Sequence, residues 1–225
     1  MALWVFGDSF SVPRISLNER HGPVPPLWHE IVAGSLNFEE YHSHAQWGVS
    51  NEYILEQFLR YQMKFESGDC IIVQLTNSSR QWFIKDHPEL SNFYVTDIDR
   101  WLTKEQAEAV NMYITHLHRD ELDEMRYFML SKALERITQE LADCKILILP
   151  GFHVIHGIRG TLTDICNNEF VSDEARKQWY DKNNGDTRAN HLSPDNHFIL
   201  AHRITEFFQT GRSIDLLDGF KQGFL

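Results

Sequence analysis

Two short runs, Cys70-Ile71-Ile72-Val73-Gln74-Leu75 and Lys145-Ile146-Leu147-Ile148-Leu149, are apolar at successive positions rather than at alternate ones. A strand with one wet face alternates apolar and polar residues, so an unbroken run implies a strand buried on both faces, as in the middle of a parallel sheet. Leu3 to Phe6 reads the same way and ends in a tight turn, Gly7-Asp8-Ser9. A further strand is expected within 39–45. Helical patterns separate these runs. Leu27, Trp28 and Ile31 share a face before Gly34. Ser50 caps a helix carrying Tyr53, Ile54, Phe58 and Tyr61 on one side. From about Asp123 to Ala142 the apolar side is Met125, Phe128, Met129, Leu134, Ile137 and Leu141. Ser193-Pro194-Asp195 opens the last long helix, which runs to about Phe208: a serine cap, a proline at the first position and an acid in the first turn.

Strands alternating with helices predict an α/β fold, a three-layer α/β/α sandwich around a doubly wound parallel sheet of about five strands. Such sheets bind ligands at the C-terminal ends of their strands. Gly7-Asp8-Ser9 follows the first strand and Thr76-Asn77-Ser78 follows the Cys70 strand, so both polar turns fall on that edge.

A chain of 225 residues suits one domain, spanning 1–225. The stretch 79–120 is long and aromatic, with Trp82, Phe83, Phe93, Tyr94, Trp101 and Tyr113, and reads as an insertion rather than a second domain. A formal net charge of −11 argues against a nucleic-acid partner and against an anionic membrane surface. No apolar stretch reaches the length of a membrane span, and the apolar Met1–Phe6 start is too short for a signal peptide, so a cytoplasmic protein is expected. Cys70, Cys144 and Cys166 are odd in number and match no zinc spacing. They read as free thiols in a reducing compartment.

A serine hydrolase needs a hydroxyl that a base can deprotonate, a base held in one tautomer, and donors aimed at the developing oxyanion. A serine on a sharp turn after a strand stands clear of the backbone, and Ser9 meets that description. Gly-Asp-Ser alone is equally a plain turn, with Asp8 bracing it. Three further blocks follow in order: Ala45-Gln46-Trp47-Gly48-Val49-Ser50-Asn51, Val73-Gln74-Leu75-Thr76-Asn77-Ser78, and Asn190-His191-Leu192-Ser193-Pro194-Asp195-Asn196-His197.

Taken together, the four blocks resemble those of the SGNH/GDSL hydrolase family. The resemblance implies a flavodoxin-like α/β/α fold and ester hydrolysis through an acyl-enzyme. It implies Ser9 as nucleophile, His191 as general base, and Gly48 and Asn77 as oxyanion-hole donors. The chain departs from the family pattern in three places. Leu75 stands where the third block usually has glycine, and Ser78 where it has aspartate. Arg188 stands three residues before His191, where the family has the acid of its triad. Asp186 is the nearest acid upstream and is taken as the third catalytic residue. Asn190, a backbone carbonyl or no group at all remain the other readings, the last leaving a Ser-His dyad. His197 also lies in the last block, but inside the helix, where a histidine more often packs or caps locally.

Arg80 and Trp82 follow the third block closely and are taken as substrate-binding. The other readings are a surface ion pair for Arg80 and the insertion's own small core for the aromatic residues. The expected substrate is a small-molecule or carbohydrate ester with a short acyl group, acetyl on a sugar being the favoured case. The opposing reading is a binding module that lost its acid and only recognises a glycan or a protein partner. His42-x-His44, His116-x-His118 and the pair His153/His156 lack nearby carboxylate or cysteine partners and read as ordinary solvated histidines. No metal and no organic cofactor is expected.

Overall fold

The computed structural model describes residues 1–16, 24–84, 86–91, 102–141, 143–166, 174, 177–178, 181 and 191–221. Its centre is a parallel sheet of β1 (Ala2–Phe6), β2 (Glu40–Ser43), β3 (Cys70–Leu75) and β4 (Lys145–Pro150), in the order β2-β1-β3-β4. Every neighbouring pair is parallel, with Phe6 opposite Val73 and Leu75 opposite Pro150. Asp69 fixes the start of β1: its carboxylate accepts from the Ala2 N–H at 2.7 Å and the Trp4 indole at 2.9 Å.

The apolar runs are continuous because both faces of the sheet are covered. Leu3, Val5, Ile72, Leu147 and Leu149 point into one core, with α1 (Trp28–Ser35) and the last helix, Pro194–Thr210. Trp4, Phe6, Ile71, Val73 and Leu75 point into the other, with α2 (Asn51–Tyr61) and the long helix Asp120–Glu140. The order is thus helices, sheet, helices. Each fully buried large side chain contributes roughly 1.5–3 kcal/mol. Three further helices, in chain order, are α3 (Lys104–His116), α4 (Asp120–Glu140) and α5 (Pro194–Thr210). Among the described residues no helix is long and apolar enough to cross a membrane.

Two expectations are corrected. The sheet has four strands among the described residues, not about five. After β4 the described residues make one isolated bridge, Arg159 with Asp215. Gly157 and Gly160 flank it at φ of 88° and 83°, left-handed positions that a strand cannot hold.

The inward face of α4 matches the expectation at Leu134, Ile137 and Leu141, which reach the core, and differs nearer its start. Met125, Phe128 and Met129 are exposed, at 51%, 60% and 61%, while Asp123, Tyr127, Ser131 and Leu134 are buried. Polar groups can occupy that face because each is satisfied. Asp123 meets His118, Gln81 and Arg126; the Tyr127 hydroxyl donates to the His153 carbonyl; and Ser131 donates to the Phe128 carbonyl.

The candidate active site

Because the strands are parallel, the turns after β1, β3 and β4 gather on one edge of the sheet. The first is a β-turn closed by the Ser11 N–H donating to the Asp8 carbonyl at 2.9 Å. Ser9 sits in this turn, half-buried, and its side chain makes no hydrogen bond to a described residue. The turn is held from below. Asp8 is fully buried; one carboxylate oxygen accepts from the Phe10 N–H at 3.1 Å, and the other meets Thr76 Oγ1 at 2.5 Å and Arg80 Nη1 at 2.8 Å. Asp8 therefore braces the turn, as its position suggested.

Gln74, the one amide in an otherwise apolar strand, completes the support. Its Oε1 accepts from the Asp8 N–H at 2.9 Å and the Ser11 hydroxyl at 3.1 Å, while Nε2 donates to the Leu75 carbonyl. A Cβ on Gly7 would lie 2.6 Å from that Oε1, so the tight approach needs glycine there. No role was read for Gln74 from the sequence. The available signal was a polar side chain in a strand buried on both faces, which must find partners inside.

The second and third blocks are tied together by Asn51. Its Oδ1 accepts from the Thr76 N–H at 2.8 Å, and its Nδ2 donates to the Thr76 carbonyl at 3.2 Å and the Asn77 carbonyl at 3.4 Å. Asn77 is oriented in turn by Ser79, whose backbone N–H and hydroxyl both donate to Asn77 Oδ1 at 2.9 Å. A backbone N–H can only donate, so this contact fixes which end of the amide is oxygen. Asn77 Nδ2 has no protein acceptor among the described residues and is left as a donor. Gly48 lies at φ 62°, and a Cβ there would come within 2.5 Å of the Glu89 carbonyl oxygen. Its N–H likewise has no described protein acceptor.

His191 is buried just before the cap of α5, with its ring 5.0 Å from that of Phe10, the residue after Ser9. The fold thus brings the Ser9 turn and His191 together from opposite ends of the chain. It does not join them by a hydrogen bond from Ser9 Oγ. His197 has a different place, in the first turn of α5, where its Nδ1 accepts from the Trp28 N–H at 3.2 Å. The Trp28 indole reaches the Phe10 carbonyl at 2.9 Å, so α1 also steadies the Ser9 turn. Asp186, with Arg188 and Asn190, lies outside the described residues, as do Phe93, Tyr94 and Trp101.

Both expected substrate-binding side chains are engaged by the protein. Arg80 Nη1 is paired with Asp8, and the Trp82 indole N–H donates to the Ile84 carbonyl at 2.8 Å with its ring edge-on to Tyr53 at 5.3 Å. Phe83 likewise packs on Tyr113, so the described aromatic residues of the insertion contact protein rings. A cavity of about 310 Å³ opens beside Ser78, lined by Tyr127, Phe128, His153 and Val154 among others. It is large enough for a small organic group. His153 Nε2 accepts from the Ser78 N–H at 3.3 Å, and burial lowers the pKa of this histidine.

Of the other histidines read as solvated, His116 and His156 are exposed, whereas the rest are packed or paired. His42 stacks on Trp4 at 4.1 Å and His44 on Tyr61 at 3.8 Å, so aromatic packing rather than metal geometry explains this pair. Burial, reinforced by His42 and Lys64, holds His44 down to about 4. His118, Asp120 and Asp123 have ligand-type atoms within 4.8 Å of one another. His118 Nε2 and Asp123 Oδ2 are already hydrogen-bonded to each other at 2.7 Å.

Comparison of the chain with protein-family models, with curated proteins and with solved structures gives no match.

Proposed function

We propose that the chain is a serine esterase of the SGNH/GDSL kind, acting through an acyl-Ser9 intermediate. The observation that carries this reading is the convergence on one sheet edge of a braced serine turn, a fixed amide donor at Asn77, the open Gly48 N–H and the buried ring of His191. His191 takes the proton of Ser9 as the hydroxyl attacks the ester carbonyl. The Ser9 and Gly48 N–H groups and Asn77 Nδ2 hold the oxyanion. The alcohol leaves with the proton from His191, and water, activated by the same ring, releases the acid. The favoured substrate is a small ester with a short acyl group, such as acetyl on a carbohydrate. Asp186 is proposed to orient His191.

The second reading, a binding module on the same scaffold, draws on Arg188 in the acid's position and on the missing hydrogen bond between Ser9 and His191. Catalytic hydrogen bonds are often long before substrate binds, so that geometry alone does not exclude an enzyme. A panel of p-nitrophenyl esters from acetate to palmitate separates the two. The esterase hydrolyses the short members fastest; the binding module hydrolyses none. Asp186→Asn lowers kcat strongly if Asp186 orients the ring, and matches the wild type if the site works as a dyad.

A further inference from the structure

We propose that Arg80 is a positioning residue: through its ion pair with Asp8 it locks the Ser9 turn, Gly48 and Asn77 in one arrangement. The inference rests on the esterase reading and deepens it. Arg80 touches all three parts of the site, the first two through its guanidinium and the third through its backbone. Its Nη1 donates to Asp8 Oδ2 at 2.8 Å, and Asp8 in turn holds the Phe10 N–H beside Ser9. The same Nη1 lies 3.5 Å from the carbonyl of Val49, the residue after Gly48. Its own backbone N–H donates to the Asn77 carbonyl at 3.3 Å, closing the turn that carries the amide donor. The guanidinium also lies 5.7 Å from the Phe152 ring, which packs on Phe10 at 5.8 Å.

Burial gives the pair its leverage. The Asp8 side chain is 0% exposed and that of Arg80 13%. A carboxylate withdrawn from water must be paired, and among the described residues Arg80 is the only cation that meets it. Thr76 adds its hydroxyl to the same oxygen, and Asn51 fixes the Thr76 backbone, so movement of Asp8 is felt at the third block as well as the first. Arg80 stands two residues after the position where this chain has Ser78 in place of the family's usual aspartate. Its charge faces inward to Asp8, which is a different task from gripping substrate.

The test uses Arg80→Met, Arg80→Lys and the neutral double variant Asp8→Asn/Arg80→Met. Two readouts are taken: kcat and KM on p-nitrophenyl acetate, and exchange of the Phe10 amide hydrogen by NMR. Small displacements of reacting groups cost large factors in rate, so Arg80→Met is expected to lower kcat roughly 10- to 100-fold. KM stays within about twofold, and Phe10 exchanges faster. Arg80→Lys recovers part of kcat, because an ammonium can still meet Asp8 but not the Val49 carbonyl as well. Should Arg80→Met fail to fold with Asp8 left charged and unpaired, the double variant carries the test; its kcat falls by a similar factor, since both residues act through one contact. A raised KM with kcat unchanged overturns the proposal and makes Arg80 a substrate contact. Wild-type kcat together with wild-type Phe10 exchange in the variants also overturns it. A wild type that neither hydrolyses the ester nor takes a fluorophosphonate at Ser9 ends the esterase reading instead; Phe10 exchange, which needs no activity, then still supports or overturns the clamp.

Discussion

The N–H of Trp28 donates to Nδ1 of His197 at 3.2 Å, joining the first residue of α1 to the first turn of α5. With Nδ1 accepting, the proton of that ring sits on Nε2, and a second proton on Nδ1 would break the contact. His197 is thereby committed to the scaffold, whereas His191 faces the residue after Ser9. His197→Ala is expected to leave an orphaned buried donor and lower stability by about 1–3 kcal/mol, with kcat changed only a few-fold. His191→Ala is expected to keep the fold and lose roughly a thousand-fold or more in kcat. Urea denaturation and ester turnover on the two variants check this together, and the reverse pattern would exchange the roles of the two histidines.

Asn77 is fixed by Ser79 with its Nδ2 left as a donor. Asn77→Ala should lower kcat by roughly a hundred- to a thousand-fold with little change in KM. A raised KM with kcat intact would make Asn77 a uniform binding contact rather than an oxyanion donor. Gly48→Ala should be harmful for a different reason: it forces an alanine to φ 62° against the Glu89 carbonyl. Its thermal midpoint should fall along with its activity.

Gln74→Leu keeps the size of the side chain roughly but removes the acceptor for the Asp8 N–H and the Ser11 hydroxyl. Leaving such buried donors unmet costs about 1–3 kcal/mol each. The expected result is a lower urea midpoint together with slower turnover, since the same bonds seat the Ser9 turn. A variant as stable as the wild type would remove Gln74 from this account.

His29 is fully buried, with Tyr41 Oη 2.6 Å from its Nδ1, and burial lowers its pKa to about 3. In the unfolded chain it takes up a proton near its ordinary value of 6.5. Between these two values the unfolded state binds more protons than the folded one. The contribution of His29 to stability is therefore complete above pH 6.5 and is lost as the pH falls toward 3. The slope reaches at most about 1.4 kcal/mol per pH unit from this one residue. Urea midpoints taken from pH 7 to pH 4 should fall more gently in a folded His29→Gln variant than in the wild type. Equal slopes would show that the acid sensitivity comes from elsewhere, His44 being the next group held low by burial.

What could be read in the sequence was what depends on local pattern. The unbroken runs at Cys70–Leu75 and Lys145–Pro150 became strands covered on both faces, because each residue type there already states its preference for burial. The serine cap and proline at Ser193-Pro194 opened a helix for the same local reason. The first half of the inward face of α4 is not legible in its own pattern, because burial there is decided by partners outside the helix. Asp123 can turn inward only because Gln81 and His118 meet it, and Tyr127 because the His153 carbonyl does. For Arg80 the sequence leaves a substrate contact and a surface ion pair both open, and nothing in its neighbourhood reveals that Asp8 lies beneath it. The blocks around Ser9, Gly48, Asn77 and His191 were visible as short motifs. The hydrogen bonds of Gln74 and Asn51 that hold three of them in register were not, because they join residues distant in sequence.

The central claim, that Ser9 is an activated nucleophile, is tested most directly by mapping where a fluorophosphonate attaches to the folded wild-type protein. Mass spectrometry of the digested adduct should find the label on Ser9. Ser9→Ala should take up no label and hydrolyse no p-nitrophenyl acetate, at a thermal midpoint close to that of the wild type. An unlabelled wild type, or a Ser9→Ala variant with full esterase activity, would contradict the account.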